Sequence, residues 1–247
     1  MPNPANFWSS LPLGKNVRLI THDEAGLAAL DKPVGALSHP NQPTDERRSL
    51  LTCPYDIKRE SFLWDEGELH LINRLDSATS GVILVAASRE VAEAARAEFA
   101  ASRARKSYLA LVFGRPRSRS DVWTDRLQVQ KGGHRVRTLP GSEGAPAETE
   151  VECLATYPGQ PPIAFIALNP RTGRSHQLRV QCQRRHLPIV GDANYGDFTK
   201  NKIVAKRDGL RRLCLHSHRT EIDYVFKGKK HRFFAESPAP PEFTITV

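Results

Sequence analysis

Apolar positions along this chain fall in short alternating or continuous runs, and only one stretch carries a clear helical period. Val17 to Ile20 and Leu27 to Leu30 flank Asp23-Glu24-Ala25-Gly26, which predicts a hairpin. Leu69 to Leu75 and Val82 to Ala87 read as strands on either side of the polar turn Ser77-Ala78-Thr79-Ser80-Gly81. Ser88 is placed as a helix N-cap with Glu90 in the first turn, and Val91, Ala92, Ala95 and Phe99 then recur at helical spacing. Tyr108 to Val112 reads as a buried strand. Leu127, Val129 and Val136 alternate with polar residues around Lys131-Gly132-Gly133-His134, which predicts a Gly-Gly hairpin. Ile163 to Leu168, Leu213 to Ser217, Ile222 to Phe226 and Arg232 to Ala235 are further strands, and Ser175 to Arg185 is a short helix-compatible stretch. Pro33 to Arg48 is expected to be a loop, and Ser237 to Pro241 irregular. Strands outnumber helices without regular alternation, so the expected class is α+β, with a mainly antiparallel or mixed central sheet and flanking helices. Residues 1–16, with Pro2, Pro4 and Pro12, read as a loose arm ahead of one domain over 17–247.

Composition narrows the class. The 247 residues are 39% hydrophobic and 26% charged, which is a globular balance. The net charge of +9 is unevenly placed: residues 1–100 carry −4 and residues 101–247 carry +13. That asymmetry suggests a polyanion-binding face built mainly by the later part of the chain, against the plainer reading of a solvated basic surface. The longest apolar run, Gly81 to Ala87, is far short of the ~20 residues that span a bilayer. The start, MPNPANFWSS, lacks the basic and apolar regions of a signal peptide. A cytoplasmic location is expected. Cys53, Cys153, Cys182 and Cys214 are widely spaced, which argues against a zinc ribbon, a redox pair or a disulfide framework.

Three segments could carry chemistry. In Asn73-Arg74-Leu75-Asp76-Ser77-Ala78-Thr79-Ser80-Gly81 a carboxylate sits where an apolar strand enters a Ser/Thr/Gly turn, a place from which a sheet can aim a reactive group. A turn aspartate accepting backbone N–H bonds would look the same. Arg171-Thr172-Gly173-Arg174-Ser175-His176-Gln177-Leu178-Arg179 packs three arginines, a histidine and a glutamine around one glycine. Those guanidinium groups could hold phosphates or pin a carboxylate, or simply be solvated at a helix start. Ile189 to Gly196 reads as a structural loop needing unusual backbone angles. Cys214, His216 and His218 alternate and could share a face as zinc ligands, but no fourth ligand is placed beside them, and hydrogen-bonded histidines are the commoner outcome. The chain has no G-x-S-x-G elbow, no Walker loop and no dinucleotide fingerprint.

In order along the chain these segments resemble the RluA-type pseudouridine synthases. Leu30-Asp31-Lys32-Pro33-Val34-Gly35 with His39-Pro40 is similar to that family's D-K-P-x-G…H-P motif. Arg74-Leu75-Asp76 with Thr79-Ser80-Gly81 resembles its H-R-L-D-x-x-T-S-G signature, and Lys106 to Val112 its K-x-Y-L-A-L-V strand. Thr172 to Arg179, Ile189 to Gly196, Leu215-His216 and Ser237-Pro238 complete a likeness that covers roughly residues 17–240. One position departs: Asn73 stands where the family usually has histidine, and a local adjustment without loss of activity is expected, since an amide also donates and accepts hydrogen bonds.

The resemblance implies the fold of a pseudouridine synthase catalytic domain, without the separate N-terminal RNA-binding domain of many members, and an isomerisation of uridine in RNA. It implies no cofactor and no metal. By it Asp76 is the catalytic aspartate, and Arg174 is the cation that keeps that carboxylate charged and oriented. Tyr108 lies against the uracil and can assist proton removal, Leu178 forms the pocket wall, and Arg74 lies in the RNA path. Extruding a base is least costly in an unstacked loop, so a loop uridine of ribosomal or transfer RNA is the expected target. Arg126, Lys131, Arg135, Arg137 and Arg179 are the expected RNA-binding residues, with Lys200 to Arg212 as further backbone contacts. A monomer is expected. The alternative is a catalytically silent RNA-binding or ribosome-assembly protein on the same fold. A nucleoside glycosidase would want paired carboxylates, and the Asp76 segment offers one.

Overall fold

The computed structural model describes residues 7–132 and 135–243. The chain divides into two compact units, 1–104 with 219–238, and 105–218 with 239–247.

In the first unit β1 (Arg18–His22) and β2 (Leu27–Lys32) form the expected antiparallel hairpin, with Arg18 opposite Asp31. β2 pairs along its whole length with β6 (Ser80–Ala86), from Leu27 opposite Ala86 to Lys32 opposite Gly81. Beyond β6 lie β5 (Gly67–Leu71), β4 (Ser61–Trp64) and β3 (Tyr55–Asp56), all antiparallel. Every residue of β6 is buried, which explains its unbroken apolar run. α1 (Arg89–Ala100) is the helix read from periodicity, and Ser88 Oγ accepts from the Val91 N–H at 3.4 Å as its cap. Val91, Ala92 and Ala95 face a core shared with Leu27, Leu84 and Phe233.

The second unit is built on β7 (Arg105–Phe113), β8 (Ser120–Gly132), β9 (Arg135–Pro140), β10 (Ala145–Tyr157) and β11 (Ile163–Pro170), in the antiparallel order β7-β11-β10-β8-β9. α2 (Gln177–Arg184) and α3 (Phe198–Arg207) follow. Gly191 is required between them: it has φ +75°, and a Cβ there would lie 1.7 Å from the Arg212 carbonyl oxygen. β12 (Leu215–Phe226) crosses the boundary at residue 219 and pairs with β13 (Lys229–Glu236), Arg219 opposite Glu236. The α+β class with a mainly antiparallel arrangement is as expected.

Several expectations are corrected. The described part of the arm is docked: Phe7 and Leu11 are buried, Phe7 packs on Trp64 at 5.5 Å, and Trp8 stacks on His22. The loop over 33–48 contains a 3-10 helix, Pro43–Arg48. The strand expected to run to Leu75 stops at Leu71, and the two strands expected within 213–226 are the single β12. β3, β4, β10 and α3 were not foreseen. The turn of the β8–β9 hairpin, Gly133-His134, lies outside the described residues.

Candidate active site

Asp76 sits in the segment that carries the chain from β5 to β6, and each step of that segment is fixed by a buried partner. Ile72 N–H donates to the Leu84 carbonyl at 3.0 Å. In return the Leu84 N–H donates to Asn73 Oδ1 at 2.8 Å, so the asparagine side chain stands in for a backbone acceptor that β5 no longer supplies. Leu75 is then clasped by the buried Ser38, whose hydroxyl accepts from its N–H (3.0 Å) and donates to its carbonyl (2.8 Å). The Ser77 carbonyl takes the Gly35 N–H at 2.7 Å and the Lys32 ammonium at 3.1 Å. Lys32 is fully buried, and its ammonium also donates to the carbonyls of Pro33 (3.2 Å) and Ala36 (2.7 Å). The Thr79 N–H closes the turn on the Asp76 carbonyl at 2.9 Å, and Thr79 and Ser80 are buried beneath it. Asp76 itself stays half-buried at the tip. A turn aspartate needs only local N–H bonds; this turn is held by a buried lysine and a buried serine from another part of the chain, so its carboxylate is carried on a fixed support. Arg74, one residue before Leu75, is exposed and pairs with Glu60 at 2.8 Å.

In the second unit Tyr108 lies on β7 opposite Leu168 of β11 and is half-buried. Lys106, two residues earlier on the same strand face, is brought to the arginine turn: its Nζ lies 3.8 Å from the position of a Cβ on Gly173. Burial pushes the Lys106 ammonium below its usual pKa. The turn from Arg171 to His176 is built around Gln177, the first residue of α2. Gln177 Oε1 accepts from the Arg174 N–H (3.0 Å) and the Thr172 hydroxyl (2.8 Å), while its Nε2 donates to the Glu148 carbonyl (3.1 Å) and Thr149 Oγ1 (3.0 Å). The exposed Arg174 side chain donates from Nε to the Pro146 carbonyl at 3.1 Å. Leu178 is buried on the first turn of α2.

The expected RNA contacts divide. Arg126 is exposed on β8. The side chains of Lys131, Arg135 and Arg137 lie outside the described residues. Arg179 is placed elsewhere than expected: it is buried, and its Nε and an Nη donate to the two carboxylate oxygens of the buried Asp192 at 2.7 and 2.8 Å. Little of this guanidinium is open to solvent, and two of its N–H groups are given to Asp192. Burial alone would raise the Asp192 carboxyl; the Arg179 hydrogen bonds and charge, with the Tyr195 and Asn194 N–H groups, outweigh it and hold the carboxyl below its usual range. Within 200–212, Lys200 pairs with Asp197, Arg207 with Asp208 and Arg212 with Glu242. Among the described residues no group of three or more His, Cys, Asp and Glu side chains is arranged to hold a metal, Cys214, His216 and His218 included. His216 is instead buried edge-on to Phe243 at 6.4 Å. The supports Lys32, Ser38, Gln177 and Tyr195 were not singled out from sequence as functional; the available signal was that polar residues inside otherwise apolar surroundings rarely go without a fixed partner.

Comparison with known proteins covers both turns. The family model described as RNA pseudouridylate synthase matches residues 26–184, which include both. The chain is 30% identical to the "Ribosomal large subunit pseudouridine synthase D" of Borreliella burgdorferi, over 89% of this chain and 65% of that one, so it spans under two thirds of that relative's length. It is 30% identical to the "tRNA pseudouridine synthase C" of Salmonella typhimurium, over 85% of this chain and 82% of that one. In fold it is similar to the solved "Human RNA Pseudouridylate Synthase Domain Containing 1", with TM-score 0.66 and 23% identity over 92% of this chain and 85% of that one. With the family match running unbroken from the β1–β2 hairpin to the end of α2, the chain belongs to the RNA pseudouridylate synthase family.

Proposed function

We propose that this protein is an RNA pseudouridine synthase that isomerises one or more uridines in ribosomal or transfer RNA, with Asp76 as its catalytic carboxylate. The observation that carries the reading is the Asp76 turn, gripped from beneath by Lys32, Gly35 and Ser38 while its aspartate stays at the half-buried tip. In the reaction the N1–C1′ bond of uridine breaks and a C5–C1′ bond forms. The proton on C5 leaves and N1 gains one, so no oxidant, metal or cofactor enters the balance. Asp76 serves the bond exchange at the ribose and base. Tyr108 serves the C5 proton, Leu178 packs on the base, and Arg174 supplies positive charge. Arg74, exposed with Glu60 as its partner, serves the RNA path. The names of the relatives include both ribosomal and transfer RNA enzymes, which supports those two substrate classes. A loop uridine is the expected target, because an unstacked base costs least to extrude. The protein acts as a cytoplasmic monomer; no helix among the described residues is long and apolar enough to cross a membrane.

The test is tritium release from RNA labelled at C5 of uridine. Wild type is expected to release label to water. Asp76→Asn is expected to bind the same RNA and release at least about 10²-fold more slowly. Equal release by a clean Asp76→Asn preparation would remove the catalytic assignment, and binding without release by wild type would favour the silent RNA-binding protein.

A further inference from the structure

We propose that the outer face of α3 docks an unpaired stretch of RNA, with a base stacked on Phe198 and neighbouring phosphates on Lys202 and Lys206, an inference that rests on the RNA substrate proposed above. The inner face of this helix is fixed. Val204 is fully buried, Asp197 Oδ1 accepts from the Lys200 N–H at 3.0 Å as the cap, and the Lys200 ammonium lies 5.9 Å from the Phe113 ring centroid. Asn201 ties the helix to the loop before it: its Oδ1 accepts from the Gly191 N–H at 2.7 Å, and its Nδ2 donates to the Asp192 carbonyl at 3.1 Å. With Lys200, Asn201 and Val204 turned inward, the helical period sends Phe198, Lys202, Ile203 and Lys206 outward.

What this face presents is unusual for a short surface helix. Phe198 is 61% exposed and Ile203 44%. Lys202 and Lys206 are exposed, and neither makes an ion pair among the described residues. The acidic residues at the two ends of the helix are already taken, Asp197 by Lys200 and Asp208 by Arg207. Phe198, Lys202 and Lys206 follow one another at intervals of four, so they form a row about 12 Å long.

A bare ring in line with two uncompensated cations suits a single strand. The ring offers its face to any unstacked base, and the ammonium groups take the phosphates that follow. A duplex hides its base faces and leaves work only for the lysines. A second copy of this chain would bring like charges together, and lysine is depleted at the cores of protein interfaces, so RNA is the better occupant. Phe234 on β13 gives the contrast: it is 52% exposed, but the arginines of its strand pair are matched, Arg232 with Glu221 and Arg219 with Glu236.

The experiment measures filter binding of the full chain to single-stranded oligouridine and to a fully paired RNA duplex over a range of salt. Phe198→Ala is expected to raise Kd for oligouridine about tenfold and to leave Kd for the duplex within about twofold. Phe198→Trp keeps an aromatic face and is expected to keep the affinity. Lys202→Gln combined with Lys206→Gln is expected to lower the log–log salt slope for oligouridine by about 1.4, the value for two single-strand phosphate contacts. Phe234→Ala is expected to change neither quantity. All these side chains are exposed, so Tm is expected to stay at the wild-type value. A wild type that does not hold oligouridine overturns the proposal. So do equal losses on strand and duplex in Phe198→Ala, or an unchanged salt slope in the double lysine variant. A wild-type dimer that Phe198→Ala converts to a monomer of unchanged RNA affinity, seen by sedimentation, gives the face to a second copy and overturns it too. A wild type that binds oligouridine as described but releases no tritium from labelled RNA overturns the functional reading alone.

Discussion

At the scale of single residues, the buried polar side chains explain more of the second unit than its exposed charges do. Arg179 is expected from its arginine-rich segment to contact RNA, and the structure shows it buried and paired with Asp192. Sequence alone could not separate the two outcomes: arginines three and five residues apart look alike until the helix decides which one faces inward. Breaking such a pair strands a charge without its partner, so Asp192→Asn is expected to lower unfolding stability at neutral pH by about 3–5 kcal/mol, read by denaturant unfolding. The pH dependence follows from the depressed carboxyl. The contribution of Asp192 is complete above its unfolded pKa of ~3.9 and disappears as pH falls through its lower folded value. Wild type is expected to lose this increment below about pH 4, while Asp192→Asn shows a flatter acid limb. A neutral-pH stability equal to wild type would show that the pair does not hold the loop. Asn73 is expected from sequence to hydrogen-bond through its amide, and its Oδ1 accepts from the Leu84 N–H.

At the scale of elements, the readable pieces were those whose inward positions are large and apolar. β1, β2, β6, β7, β11 and α1 all meet that condition. β10 was missed although it is 13 residues long, because its buried side chains are small or polar, Ala147, Thr149 and Val151, and glutamates stand between them. β12 read as two strands because Ser217 and Thr220 are buried in its middle and break the apolar pattern. α3 hides in a basic run and buries only Val204, with Asp197 as its cap. Residues 72–75 are expected from sequence to continue a strand, and Lys32 to Gly35 are legible only as part of a motif: that Lys32 and Ser38 reach the turn cannot be read, because they are distant from it in sequence. That support yields a prediction. Lys32→Met removes three donors at once: the Ala36 carbonyl loses its lysine donor, and the Pro33 and Ser77 carbonyls keep only the Ala36 and Gly35 N–H groups, at ~1–3 kcal/mol for a carbonyl left buried and unpaired. A lower Tm together with faster hydrogen exchange at the Gly35 and Thr79 N–H groups is expected. Unchanged protection at both would mean that the lysine is not what anchors the turn.

At the scale of the molecule, the family and the α+β class were legible because several short motifs recur in one order, and the basic excess of residues 101–247 pointed to a polyanion. Part of that excess is spent internally, in pairs such as Arg185 with Asp125 and Arg171 with Glu148, which composition cannot reveal. RNA affinity is therefore expected to fall with salt at a slope reporting only a few phosphate contacts, about 0.7–0.9 in log–log terms for each, measured by filter binding. A slope near zero would contradict electrostatic docking of RNA. Asp76-dependent isomerisation of uridine is tested most directly in cellular RNA. The measurement maps pseudouridines, by chemical adducts and reverse-transcription stops, in total RNA from cells with and without this protein. At least one site is expected to be lost on deletion and restored by wild type but not by Asp76→Asn. A pseudouridine pattern unchanged by deletion, or a lost site that Asp76→Asn restores as well as wild type does, would contradict it.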